Sequence, residues 1–111
     1  MKDIPLEKDI VRSIVQALKR SGYTFVFKTH GAAFQAAGMP DLITIAHSGR
    51  FVGLEVKRPG IGKVTTLQLK MLRLINKCGG YGVVVMGAED AMAAMRAAEA
   101  WQDAGGQDDR E

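Results

Sequence analysis

Glu55 and Lys57 stand two apart in the run Phe51-Val52-Gly53-Leu54-Glu55-Val56-Lys57. On a strand, residues two apart project to the same face. The spacing therefore sets a carboxylate beside an ammonium and turns Val52, Leu54 and Val56 the other way, into a core. Alone, such a triplet is the pattern of any half-solvated strand. Asp41 changes its weight, because it follows Pro40 at the start of the preceding apolar run, with thirteen residues between it and Glu55. Two carboxylates at close range repel unless something neutralises them. A hard cation, Mg²⁺ or Mn²⁺, does so with oxygen ligands from carboxylates, a carbonyl and water, and the Val56 carbonyl is the candidate third ligand. Such an ion lowers the pKa of a bound water and polarises a phosphoryl oxygen. Lys57 can position the attacking water or stabilise the added negative charge. The chemistry this set suits is metal-assisted hydrolysis of a phosphodiester. None of it requires His or Cys, and neither occurs here with metal-site spacing.

The three residues share a face only if the hairpin joining their strands has the right parity. Asp41 to Ala46 and Phe51 to Lys57 read as strands, and His47-Ser48-Gly49-Arg50 is the turn signal between them. An odd-numbered loop such as Ser48-Gly49-Arg50 puts Asp41 near Lys57 and Ile43 opposite Glu55. A two-residue Ser48-Gly49 loop puts Asp41 on the wrong face. The reading thus requires a three-residue turn with Gly49 at positive φ.

The other elements must hold this hairpin. Ile4 to Ser21 reads as a helix, capped by Asp3, with Pro5 in its first turn, Gly22 at its end and a stripe of Leu6, Ile10, Ile14 and Leu18. Tyr23 to Lys28 reads as a strand, and the Gly- and Ala-rich segment from His30 to Gly38 as a loop. Thr65-Thr66-Leu67-Gln68 fits a capping box opening a helix from Thr66 to Lys77, with Leu67, Met71, Leu74, Ile75 and a buried Cys78 as its apolar face. Tyr81 to Met86 reads as a buried strand. Ala88 to Trp101 reads as an alanine-rich helix that packs on the sheet or on another copy, with Met92 and Met95 suited to either. The order is α-β-β-β-α-β-α, without internal repeat.

Two further residues come into question through these elements. Glu7 lies seven residues before Ile14, on the first turn of the inward stripe. It is either a plain dipole-favoured acid or a further metal ligand. Gln68 is structural as the last residue of the capping box, yet it follows the Glu55 strand closely enough to face the same cleft. Lys28, His30, Arg58 and Lys63 border the presumed site and are candidates for phosphate contacts, against simple solvation. His47 is assigned to the turn. Gly60-x-Gly62-Lys63 fails the Walker A spacing, which excludes nucleotide hydrolysis of that type.

Composition bounds the class. The chain has 111 residues, 47% of them hydrophobic and 24% charged, which predicts one domain with a real core. No apolar run approaches the roughly 20 residues of a membrane span. The N-terminus lacks the apolar stretch of a secretory signal, and a lone cysteine fits a reducing cytoplasm. The net charge of +3 is uneven. Residues 1–101, the expected domain, carry 14 basic and 8 acidic side chains, while residues 102–111 form an acidic tail of net −3 that is expected to be disordered. A basic body suits a polyanion.

Gly38-Met39-Pro40-Asp41-Leu42-Ile43, then Gly49 to Lys57, then Thr65 with Gln68 resemble the VRR-NUC domain, the virus-type replication-repair branch of the PD-(D/E)xK nucleases. The resemblance covers about Glu7 to Met86. It implies an α/β, restriction-endonuclease-like αβββαβ core with a mixed sheet flanked by helices, here followed by a C-terminal helix. It also implies a divalent metal and hydrolysis of DNA. Asp41 and Glu55 match the family's metal-binding carboxylates and Lys57 its catalytic lysine. Glu7 resembles its first-helix acid, and Gln68 its helix glutamine. Small stand-alone members are expected to be homodimers acting on branched DNA such as four-way junctions. The rival readings are a non-catalytic DNA-binding module and an assembly partner in a repair or phage complex.

Overall fold

The computed structural model describes residues 3–29 and 37–100. The expectations for His30, Trp101 and the tail lie outside them. The elements run α1 (Glu7–Arg20), β1 (Val26–Lys28), β2 (Leu42–Ile45), β3 (Phe51–Val56), α2 (Thr66–Lys77), β4 (Tyr81–Val85) and α3 (Ala88–Glu99). The strands form one sheet in the order β1-β2-β3-β4. The first three pair antiparallel, and β4 returns parallel to β3 through α2, the crossover that a parallel pair needs. This is the mixed α/β sheet expected from the sequence.

The sheet divides the molecule into two unlike layers. Leu42, Val52, Leu54, Val56 and Val85 face α1 and α3, where Ile10, Ile14, Leu18, Ala91, Ala94, Met95 and Ala98 complete the main core. The alanines of α3 let it lie close on the sheet and on α1, so this helix packs within its own chain. The opposite face carries Ile43, Gly53 and Glu55 and receives α2.

The apolar face assigned to α2 needs correction. Leu72 and Ile75 are buried, whereas Leu67 and Leu74 are about half exposed, at 49% and 52%, and Cys78 is exposed rather than buried. The helix is turned so that Gln68, Leu72 and Ile75, one row at helical spacing, meet the sheet. Glycines permit that approach. A Cβ on Gly82 would stand 3.1 Å from the Leu72 carbonyl oxygen, and one on Gly80 2.9 Å from Ile75 Cγ2.

The first helix starts later than the sequence suggests. Leu6, extended at φ −70° and ψ 153°, is its N-cap, and no side chain caps it. Asp3 is not the cap, and Pro5 lies before the helix. The carbonyls of Ile4 and Pro5 instead accept hydrogen bonds from the Arg58 guanidinium, both at 2.9 Å. The first strand is also shorter than expected, because Tyr23 leaves the sheet pattern to close a network at the far end. Its ring stacks on His47, with centroids 4.3 Å apart, and its hydroxyl donates to Glu99 Oε2 at 2.8 Å.

The same Glu99 carboxylate accepts the backbone N–H groups of His47 (2.6 Å) and Ser48 (3.0 Å), so α3 holds the β2–β3 turn from outside. Burial alone would raise the Glu99 pKa, but these N–H groups and the Tyr23 hydroxyl outweigh it and hold the carboxyl below its ordinary range. Burial and the Glu99 carboxylate push the Tyr23 phenol up to about 12.

Replacing Glu99 by Ala should lower folding stability by about 2 kcal/mol, since hydrogen bonds to a charged acceptor are among the stronger ones. Its folded pKa is depressed, so the contribution is present above the ordinary value of 4.5 and disappears as pH falls through the folded value. Urea midpoints of the two proteins should converge in acid. A constant gap down to pH 3 would show that the turn is not held by charge.

Candidate active site

The β2–β3 register decides whether the site exists, and it follows from the turn. Leu42 pairs with Leu54, Ile43 with Gly53, Thr44 with Val52 and Ile45 with Phe51. Ala46 N–H donates to Arg50 O at 2.9 Å and Gly49 N–H to Ala46 O at 2.8 Å, so the loop is His47-Ser48-Gly49, with Gly49 at φ 94°. The odd count and the positive φ are as the sequence requires. The loop begins one residue earlier than Ser48-Gly49-Arg50, so Ile43 faces Gly53 instead of Glu55. Continued one step, this register brings Asp41 opposite Glu55 rather than Lys57. All three side chains stay on the α2 face, with the two carboxylates as direct neighbours.

Pro40 and Asp41 are held from three sides. Thr29, buried on the β1 side, donates its hydroxyl to Pro40 O at 2.6 Å and its N–H to Asp41 O at 3.0 Å. Pro40 fills the space above Gly53, where a Cβ would come within 2.8 Å of its ring. Gly38, at φ 84°, lets the chain pass over the first turn of α2, where a Cβ would stand 2.9 Å from Leu67 O. Sequence reasoning missed Thr29, Gly38 and Gly53 as positioning residues. The glycines of Gly38-Met39-Pro40-Asp41 and Val52-Gly53-Leu54 were the available signal. Asp41 Oδ2 accepts the Val56 N–H at 2.8 Å. A strand residue's carbonyl points to the same side as its N–H, so the Val56 carbonyl is directed toward the Asp41 edge.

Glu55 is the centre of the cluster, at 1% exposure. Its Oε2 accepts the Gln68 side-chain N–H at 2.9 Å and lies 3.4 Å from Lys57 Nζ. Its Oε1 is buried with no partner among the described residues. Gln68 takes both positions that the sequence left open, in the capping box and beside Glu55. Its Oε1 accepts the Thr65 N–H at 3.0 Å while Thr65 Oγ1 accepts the Gln68 N–H at 3.1 Å, which closes the capping box. With the amide oxygen committed to Thr65, the amide nitrogen must turn to Glu55.

Burial, first, and then the Asp41 carboxylate push the Glu55 pKa up from 4.5 to about 8, against the opposing pull of Lys57. Two ionised carboxylates can only accept hydrogen bonds, so a proton or a cation must lie between them. The orphaned Glu55 oxygen, the neighbouring Asp41 and the Val56 carbonyl form an all-oxygen donor set that fits a hard divalent ion. Among the described residues no three His, Cys, Asp or Glu gather.

Glu7 is exposed. It lines, with Lys8, Val11, Lys28 and Asp41, an open cavity of about 260 Å³, so it and Lys28 flank the Asp41 side of the cluster. Lys63 is exposed on the loop after β3. Arg58 is committed to the Ile4 and Pro5 carbonyls and braces the entry to α1. His30 lies outside the described residues, and His47 sits at the opposite end of the hairpin, in the turn.

No family model matches the chain, and no curated protein matches it. Among solved structures it is similar to a VRR_NUC domain protein, with a TM-score of 0.69 and 20% identity over 91% of this chain and 93% of that one. At that identity the likeness is one of fold. The chain shares the fold of that VRR_NUC domain protein.

The raised Glu55 pKa has a sign that can be measured. The folded protein keeps a proton that the unfolded chain has released, so this contribution to stability is complete below 4.5 and is lost as pH rises through about 8. In EDTA, Glu55→Gln should match wild type near pH 5 and exceed it by on the order of 1–3 kcal/mol at pH 9, the scale of an unsatisfied buried polar group. Equal urea midpoints at both pH values would show that Glu55 is not a buried, strained carboxylate.

Proposed function

We propose that the protein is a divalent-metal-dependent DNA endonuclease that acts on branched DNA, such as four-way junctions, as a homodimer. One observation carries the reading. A fully buried glutamate with an unpartnered oxygen lies opposite an aspartate, with a lysine and a glutamine on its other oxygen, on a fold shared with a VRR_NUC domain protein. A buried carboxyl with one unpartnered oxygen, whose ionisation is opposed by burial and by a second carboxylate, marks a candidate functional group.

When bound, Mg²⁺ or Mn²⁺ would supply charge neutralisation, an activated water and polarisation of the phosphoryl oxygen. Asp41, Glu55 and the Val56 carbonyl would hold it, with Glu7 at the rim. The chain's own residues divide the remaining work. Gln68 orients the Glu55 carboxylate and keeps one of its oxygens free. Lys57, 13% exposed, presents its ammonium from the Glu55 side, where it positions the attacking water or meets the negative charge that grows on the phosphate. Lys28, which lines the cavity beside Asp41, and the exposed Lys63 would contact flanking phosphates.

Fold analogy alone does not select a substrate. Phosphodiester hydrolysis is favoured by the donor set and the basic body, and branched DNA by the sequence resemblance. In a two-fold dimer each copy would bring one such site, which suits cuts on both strands of a junction. A monomer mass by light scattering at assay concentration would remove that part.

The test is cleavage of a labelled four-way junction beside linear duplex and single strand, with Mg²⁺, Mn²⁺ or EDTA. Wild type should cut only with metal and prefer the junction. Lys57→Ala should lower kcat by about 10²–10³-fold, the scale of losing one charge-stabilising donor, and Gln68→Ala by about 10–100-fold, as for the support of a metal ligand. No cutting by wild type would leave a DNA-binding module. Cutting that survives Lys57→Ala would place the site elsewhere.

A further inference from the structure

The sheet separates charge as well as hydrophobic layers. Between Glu55 and Glu89 the chain has no acidic residue and six basic ones, Lys57, Arg58, Lys63, Lys70, Arg73 and Lys77. That stretch builds the loop after β3, the whole of α2, and β4. The acids Glu7, Asp9, Glu89, Asp90 and Glu99 belong to α1 and α3, in the other layer. From Val26 to Val85, the acids among the described residues are Asp41 and Glu55, and both are in the site.

Along α2 the basic residues form a row. Leu72 and Ile75 face the sheet. Lys70, Arg73 and Lys77, at spacings of three and four, share the face turned away from it. All three are exposed, as is Lys63, and none of the four pairs with an acid among the described residues. The two ion pairs elsewhere, Arg12 with Asp9 and Lys57 with Glu55, show that basic side chains find acids where acids are near. The helix that carries this row also carries Gln68, which touches Glu55.

We infer that the outer face of α2, from Lys63 through Lys70, Arg73 and Lys77, is a docking surface for the phosphate backbone of a DNA arm beside the cleavage site. The inference rests on DNA being the ligand of the site. The row covers about 10 Å of helix at ~1.5 Å per residue, and a strand carries one phosphate per ~3.4 Å of duplex axis, so it spans about three phosphates. Unpaired cations facing a polyanion release its counterions, which gives affinity without sequence preference. That is what an enzyme selecting DNA by shape needs from a surface outside its site. The flanking Leu67, Leu69 and Leu74 are exposed and give the row an apolar floor on which the long basic stems can lie.

The test compares two triple variants of equal charge change. Lys70→Gln/Arg73→Gln/Lys77→Gln strips the α2 row, and Lys19→Gln/Arg20→Gln/Arg96→Gln strips the other layer. Binding of a fluorescein-labelled junction and linear duplex is measured in EDTA across a salt series. The α2 variant should lower the slope of log affinity against log salt by about 2.7 and weaken binding on the order of a hundredfold near 0.15 M salt. The control should keep the wild-type slope, and melting temperatures should match because all six side chains are exposed. With Mg²⁺ or Mn²⁺ the α2 variant should raise KM and leave kcat near wild type. Equal losses in the two triples would reduce the effect to net charge and overturn the proposal. So would an unchanged slope, including the case where the α2 variant alters the mass in light scattering and marks the row as a self-association face. If wild type cuts nothing but the α2 variant still loses its slope, the surface stands and only the hydrolytic reading falls.

Discussion

The rest of the structure is arranged around a carboxylate placed where it cannot be comfortable. Glu55 sits on a central strand at 1% exposure, opposite Asp41, with one oxygen unpaired. An apolar residue there would cost nothing in charge desolvation and would suit the sheet. Keeping the acid demands compensation from every neighbour. Lys57 offsets part of the charge from the same strand face, and Gln68 donates from α2. Asp41, which opposes ionisation of Glu55, is itself steadied by the Val56 N–H. What is left over is an unsatisfied oxygen. Strain of this kind persists only where surrounding structure over-determines it.

That over-determination comes from close backbone approach. Gly53 accepts Pro40 and Ile75 above it, Gly38 crosses the start of α2, and Gly80 and Gly82 let α2 settle on β4. Each contact would be closed by a single Cβ, so the loop bearing Asp41, the helix bearing Gln68 and the strand bearing Glu55 are locked at short range. The far end is held independently. Glu99 gathers the two turn amides and the Tyr23 hydroxyl, which braces the three-residue loop. A change of one residue in that turn would send Asp41 to the opposite face of the sheet, so an α3 side chain at the far end of the hairpin helps keep the carboxylates facing each other.

The parity was legible in the sequence because it needs only strand alternation, an odd loop and a glycine. The absolute register was not. Whether the loop starts at His47 or Ser48 depends on the Glu99 clamp, a contact across fifty residues that no local pattern encodes. The α2 boundaries were legible from Thr65 and Gln68, whose capping chemistry is local. The buried face of α2 was not. Leu67, Leu74 and Cys78 make as good an apolar row as Leu72 and Ile75, and what chooses between them is the set of glycines on β3 and β4. Tyr23 reads locally as the first residue of a strand, but tertiary packing on His47 takes it out. Glu7 could be placed on a first turn but not beside Asp41, because the tilt of a helix over a sheet is set by core packing and not by spacing.

Side chains cover part of the β4 edge of the sheet. In the parallel β3–β4 pair Lys57 N–H bonds Val85 O, so Gly82 and Met86 turn their backbone groups outward. Asn76 covers both groups of Gly82, accepting its N–H at 2.9 Å and donating to its carbonyl at 3.0 Å. Asp90 accepts the Met86 N–H at 3.0 Å. An edge partly covered by side chains is a poorer template for another strand. The two helix layers offer different side-chain surfaces. The α1–α3 layer mixes both signs of charge, and the α2 layer is basic wherever it is not the site. Among the described residues from Val26 to Val85 the acids are Asp41 and Glu55 alone, so outside that pair this stretch of the chain presents no carboxylate.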